Sequence, residues 1–248
     1  MKKRVEMGIN KRFYELDLLR GAAILFMIVF HALHTLNFFG SYNFVLHRGS
    51  LFYFARAAAS TFIILAGISL TISCSRKGAG AFKKSLKRGA AIFSWGLLIT
   101  LITWFALDRG FVVFGILHFI GLSIMLAFPF LSLVRVNLLL GITIVLLGIL
   151  IPQYTLETPW LVWLGFRPPG FYSIDYFPLF PWFGVFLMGI YLGNTFYPKA
   201  RREFSLPEIP ESLPLKYLSL IGRNSLLIYL LHQPVLIIVL FLSGFIGL

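Results

Sequence analysis

The chain has 248 residues, of which 58% are hydrophobic, 17% aromatic and only 12% charged, with a formal net charge of +13. A water-soluble domain carries about 25% charge, so a cytosolic enzyme, a disordered chain and a disulfide-stapled secreted domain are excluded. The one cysteine, Cys74, leaves no internal disulfide to form.

Apolar runs of roughly 20 residues suit a bilayer-spanning helix. Seven are predicted, at about 16–38, 50–73, 89–107, 111–132, 137–152, 177–196 and 225–247. They are too long for barrel strands and do not alternate with period two, so the predicted fold class is all-α, a polytopic membrane protein in one domain. Tight hairpins are expected at Asp108-Arg109-Gly110 and at Val134-Arg135-Val136. The first run is too long for a signal-peptide core and carries Arg20 and His31. The segment about 153–176, with Pro159, Trp160, Trp163, Pro168 and Pro169 after Pro152, is expected to form an ordered lid. The segment about 197–216 is basic and proline-broken, and Leu215–Arg223 is expected to be a short interfacial helix before Ser225 caps the last span.

The loops carry their cations unevenly. Lys2, Lys3, Arg4, Lys11, Arg12, Arg76, Lys77, Lys83, Lys84, Lys87, Arg88, Arg135, Lys199, Arg201, Arg202, Lys216 and Arg223 fall on one set of alternate loops; Arg48, Arg109 and Arg167 fall on the other. The positive-inside rule then predicts a cytoplasmic N-terminus and an external C-terminus. The net charge is read as topology, and no nucleic-acid partner is implied.

Ionisable residues inside spans cost about 3 kcal/mol each on insertion scales, so each points to a function or a partner. The chain places Asp17, Arg20, His31, His34, Arg56, His118 and His232 in predicted spans, with Asp175 at a span mouth. Asp17 and Arg20, three apart, can pair on one helix face. His31 lies eleven residues beyond Arg20, about 16 Å along the axis and within about 20° of the same face, with His34 one turn on. This depth reckoning puts His31, His34, Arg56, His118 and Asp175 in the outer half, Asp17, Arg20 and Arg223 on the inner side, and His232 near mid-depth before Pro234. A structural reading competes for each: an ion pair at Asp17–Arg20, core hydrogen bonds at the histidines, interhelical packing around His118 between Gly115 and Gly121. No metal motif, phosphate-binding loop or nucleophile elbow is present.

The stretch Leu16-Asp17-Leu18-Leu19-Arg20-Gly21 leading to His31 resembles the opening of the heparan-alpha-glucosaminide N-acetyltransferase catalytic-domain family. So do Phe114-Gly115-Ile116-Leu117-His118, Asp175-Tyr176 through Pro181-Trp182-Phe183-Gly184, and Gly222-Arg223-Asn224-Ser225 through Tyr229, His232, Gln233 and Pro234. The spacing from Arg20 to His31 also resembles that of the wider superfamily of transmembrane acyltransferases. The resemblance implies a multi-pass cell-membrane enzyme that moves an acetyl group from cytoplasmic acetyl-CoA to an acceptor amine or hydroxyl at the outer face, the acceptor being a sugar, a glycan or a lipid-linked molecule. It implies His31, His118, Asp175 and Arg56 as catalytic candidates. Asp17, Arg20, Arg88, Arg223 and His232 are the implied cofactor-binding candidates, with no metal. The eukaryotic member has Asn at the position of His31 and its catalytic histidine in the next loop, where His47 is the nearest residue, so His31 and His47 stand as alternatives. A homodimer is among the expected partnerships. The competing function is a proton-coupled transporter with a His/Arg relay; the third is a lipid-binding scaffold without turnover.

Overall fold

A computed structural model describes residues 12–40, 42–46, 48–151, 154–207 and 212–247. His47, Pro152 and the N-terminal cations Lys2, Lys3, Arg4 and Lys11 lie outside the described residues. The described chain is all-helical, with no strand and only isolated bridges at Phe114–Tyr176 and Thr155–Arg167. Eight α-helices follow one another: α1 Tyr14–Phe39, α2 Gly49–Lys77, α3 Ala81–Ala106, α4 Ile116–Leu126, α5 Val134–Leu150, α6 Leu179–Phe196, α7 Leu213–Arg223 and α8 Ser225–Leu242. Five of them, α1, α2, α3, α6 and α8, are long and apolar enough to cross a membrane.

The fourth predicted run departs from expectation. Residues 111–115 are extended and the helix spans only Ile116–Leu126, about 16 Å of rise at 1.5 Å per residue. The break has local causes. Leu107 ends α3, Gly110 takes a left-handed φ of 81° that a side chain resists, and Pro129 sits in the one-turn 3-10 helix Phe128–Phe130 after α4. The turn between α4 and α5 therefore falls at 127–133, and Val134-Arg135-Val136 is the first turn of α5 rather than the hairpin. The interfacial helix predicted at Leu215–Arg223 is α7, beginning at Leu213. The residue at the cap position of α8 is Asn224, with Ser225 already helical.

The chain divides into two compact units. The first comprises residues up to Phe62 together with 206–248 and holds α1, α7, α8 and the start of α2. Here α1 and α7 meet backbone to backbone. A Cβ on Gly21 would fall inside the carbonyl of Leu218, and one on Gly222 inside the carbonyl of Asp17. Further along, the His31 and His232 rings touch, and Gly40 approaches Phe245, so α1 and α8 run parallel. Close approach through small residues is how helices associate where the solvent is as apolar as the side chains.

The second unit, Ile63–Ser205, repeats the device. Gly89 and Gly121 join α3 to α4: a Cβ on Gly121 would lie 2.6 Å from the Phe93 nitrogen. Gly141 and Gly184 join α5 to α6, each facing the other's carbonyl oxygen. Gly67 on the latter half of α2 would place a Cβ 2.5 Å from the Phe186 carbonyl of α6. The described segment before α6 is folded on itself. Tyr176 Oη donates to the Val162 carbonyl at 2.7 Å, and Leu179 and Phe180 donate to the Trp163 and Leu164 carbonyls.

Candidate functional site

At the N-terminal end of α1 the i,i+3 spacing of Asp17 and Arg20 produces the expected pair: Arg20 Nη1 donates to Asp17 Oδ1 at 2.8 Å. A second cation joins from the end of α7, with Arg223 Nε 3.3 Å from Asp17 Oδ2. Asp17 is 5% exposed although it is a carboxylate. It is tolerated there because two guanidiniums face it, as burial of an ion requires. Two guanidiniums thus converge on one carboxylate. Local spacing pointed to Arg20 as the partner; Arg223 enters only because the backbone contact of Gly21 and Gly222 sets α7 against α1.

Eleven residues along α1 from Arg20, His31 meets His232 of α8. The ring centroids are 4.8 Å apart with planes at 64°. His232 is 9% exposed. Its Nδ1 bonds the carbonyl of Tyr229, one turn earlier in α8. A carbonyl can only accept, so Nδ1 carries the proton and, in the neutral ring, Nε2 carries the lone pair. Nε2 is buried and has no hydrogen-bond partner among the described residues. The next residue, Gln233, donates from Nε2 to Thr35 Oγ1 at 3.0 Å, and Thr35 Oγ1 donates to the His31 carbonyl at 2.8 Å. Gln233 Oε1 is a second buried acceptor with no partner among the described residues. Two acceptors on successive residues beside His31 make this the polar heart of the first unit. His34 packs against Phe30 on the same helix, ring centroids 6.4 Å apart. Arg56, on α2 in this unit, lies over the Phe52 ring at 5.1 Å.

His118, the other buried histidine, has a different setting in the second unit. It is 2% exposed. The Gly115 N–H donates to its Nδ1 at 3.2 Å, so Nε2 bears the proton and faces Thr100 Oγ1, also at 3.2 Å. Thr100 in turn donates to the Val112 carbonyl at 2.7 Å, and Val112 N–H donates to Thr103 Oγ1 at 3.0 Å. Asp175 Oδ2 accepts from the Ile116 N–H at 3.1 Å. Gly115 is required beside it, because a Cβ there would fall inside that carboxylate oxygen. Together His118 and Asp175 satisfy two orphan N–H groups at the start of α4, and the carboxylate complements the helix dipole. His118 at the third helical position after Gly115 is a capping spacing that the sequence displays; the Thr100 contact, eighteen residues away, is not legible from it.

Arg88 is exposed on α3 in the second unit. Outside the spanning helices, Tyr176 is the notable titratable group. Burial pushes its phenol up from the usual 10.0, and Arg167, whose guanidinium lies 5.1 Å over the ring, offsets part of the rise. Among the described residues no group of three or more His, Cys, Asp or Glu side chains could hold a metal ion.

A family model described as heparan-alpha-glucosaminide N-acetyltransferase, catalytic, matches residues 12–234. That span takes in Asp17, Arg20, His31, Arg223 and His232. No curated protein and no solved structure gives a match.

Proposed function

Because the chain belongs to the heparan-alpha-glucosaminide N-acetyltransferase catalytic family, a family of membrane acetyltransferases, we propose that it transfers the acetyl group of cytoplasmic acetyl-CoA to an amine or hydroxyl acceptor at the outer face of a cell membrane, with His31 as the reacting centre. The acceptor is a sugar, a glycan or a lipid-linked molecule. The transporter alternative has no support from the family match.

The observation that carries this reading is the order of groups along α1 and its partners. The cluster Asp17–Arg20–Arg223, two guanidiniums about one carboxylate, stands at one end. A histidine pair stands eleven residues beyond Arg20, about 16 Å by helical rise. CoA has the same order: phosphates at one end, a slender pantetheine arm, a thioester at the tip. The arginines neutralise the phosphates, for which guanidinium forks are suited. The loop charges place Arg20, Arg223 and Arg88 on the cytoplasmic side, where CoA is found. At the far end a neutral imidazole attacks the thioester or accepts the acceptor's proton. His118 and Asp175 enter this proposal as the cap that fixes α4, and Arg56 as a cation of the unit that holds His31.

The deciding experiment uses the detergent-solubilised full chain. Acetyl-CoA is expected to raise its melting temperature, since a ligand that binds only the folded state stabilises it. Arg20→Gln combined with Arg223→Gln is expected to remove that protection at the same concentration. Wild-type protein that neither gains protection from acetyl-CoA nor consumes it would reject the proposal.

A further inference from the structure

The proposed function needs one reactive nitrogen; the first unit holds two histidines in ring contact, in unequal states. His31 has no hydrogen bond to its ring among the described residues, and its ring contacts are with Phe30 and His232. His232 is pinned: Tyr229 takes its Nδ1 proton in a hydrogen bond, and Nε2 is left as a buried lone pair with nothing to accept. A buried acceptor left without a donor costs about 1–3 kcal/mol. A lone pair kept bare in this way is available to hold a proton that arrives during reaction. The arrangement is a nucleophile, a base and an orienting carbonyl, the triad logic in a membrane setting.

We infer that His232 is the proton-holding partner of His31, a positioning residue acting through it. The inference rests on the acetyl-transfer reading and assigns the first half-reaction as follows. One nitrogen of His31 attacks the thioester carbonyl carbon, the carbon–sulfur bond breaks, and CoA leaves as the thiolate. The proton on the other His31 nitrogen passes to His232 Nε2, so the acetyl-imidazole is neutral and the charge sits on His232. In the second half-reaction His232 returns that proton to His31. The acetyl-imidazolium is then attacked by the acceptor, the carbon–nitrogen bond to His31 breaks, and the acceptor's proton goes to solvent, matching the proton that the CoA thiolate takes up. The Tyr229 carbonyl keeps the proton on Nδ1, so Nε2 is the nitrogen of His232 with a lone pair to offer. Thr35 and Gln233 fix the two helices in register at this level.

The test reads the first half-reaction alone and needs no acceptor. Solubilised protein is mixed with acetyl-CoA, quenched in acid, and the peptide containing His31 is examined by mass spectrometry for a gain of one acetyl group. Release of free CoA is followed in parallel. Wild type is expected to acquire the label on His31. His232→Gln, which keeps a polar side chain but cannot hold the proton, is expected to acquire it at least about 100-fold more slowly, the usual cost of losing a general base. His232→Gly is expected to be equally slow and to recover in proportion to added imidazole, which a purely structural histidine would not do. The helical circular dichroism and the melting temperature without ligand are the controls for folding, and both variants are expected to keep a cooperative thermal transition. Labelling of His31 at the wild-type rate in His232→Gln overturns the inference. So does a slow His232→Gly that imidazole does not rescue. If the wild type itself is never labelled on His31 although it consumes acetyl-CoA, the covalent route and with it the inference fall, while acetyl transfer stands.

Discussion

Two buried histidines, His118 and His232, carry the same ring and do opposite things. Around His118 both nitrogens are engaged: Gly115 gives a proton to Nδ1, and Thr100 faces Nε2. Around His232 only Nδ1 is engaged, by the Tyr229 carbonyl, and Nε2 has no partner among the described residues. A buried imidazole with every valence closed is a strut; one with an open lone pair beside a second imidazole is a reagent in waiting. Burial does not separate the two, since both lie at least nine-tenths inside the protein. The count of closed hydrogen bonds does.

The comparison can be broken or sharpened by substitution. The largest effect is expected at His31, the ring in contact with His232. His31→Ala is expected to lower acetyl transfer by roughly 10²–10⁴ while acetyl-CoA still protects against thermal unfolding. If transfer persists in His31→Ala and is lost in His47→Ala, the reacting centre moves to the loop histidine. Next comes His118→Ala. It orphans the Gly115 N–H and leaves a void among Phe93, Phe114 and Gly96, so unfolding by denaturant is expected to cost about 2–4 kcal/mol less. An unchanged unfolding midpoint would mean that His118 is no strut.

Smaller effects refine the cap. Gly115→Ala drives a methyl into Asp175 Oδ2 and is expected to destabilise by about 1–3 kcal/mol in the same measurement. Asp175→Asn keeps an acceptor for the Ile116 N–H and loses only the charge at the helix N-terminus. About 0.3–1 kcal/mol is expected, and a larger loss would assign the carboxylate a further task.

The last effect lies at alkaline pH. Folding raises the Tyr176 pKa above 10.0, so the folded state holds that proton more tightly than the unfolded chain. The corresponding stability is complete below the unfolded value and is lost as the pH rises from there through the folded value. Tyr176→Phe is expected to flatten this alkaline decline relative to wild type in a series of unfolding curves. It also removes the hydrogen bond to Val162, at a cost of about 1 kcal/mol at neutral pH.

What the sequence discloses follows from what is local in it. The helical class is written in the length of the apolar runs. The pairing of Asp17 with Arg20 is written in their spacing, and the amphipathic α7 in the residues before Arg223. The shortening of α4 is written there too, in Gly110, Gly115 and Pro129, but an apolar count over 111–132 passes across these marks because Phe, Val and Ile on either side keep the average high. Contacts between distant residues leave no such mark. His31 and His232 are 201 positions apart in the numbering, and nothing in either neighbourhood announces the other. The family resemblance implies His232 as a cofactor-binding candidate. Its contact with His31 needed the fold, because only the parallel course of α1 and α8 brings the rings together. Val134–Val136 misled for a plainer reason. An arginine between two apolar runs resembles a turn, yet arginine is a good helix former and opens α5 without strain.

The seam between α1 and α7 sets a timetable for biosynthesis. Gly21 leaves the ribosome ahead of Gly222, whose backbone it must touch, by on the order of 200 residues, roughly 10–40 seconds at ~5–20 residues per second. For that interval α1 waits with Asp17 partnered by Arg20 alone, while the elements of Ile63–Ser205 have already emerged and can assemble among themselves. The helix that carries His31 is thus made before the residues of the second unit and completed after them. A chain stopped before α7 would leave Asp17 paired with Arg20, lacking the second guanidinium from Arg223 and the backbone seam at Gly21.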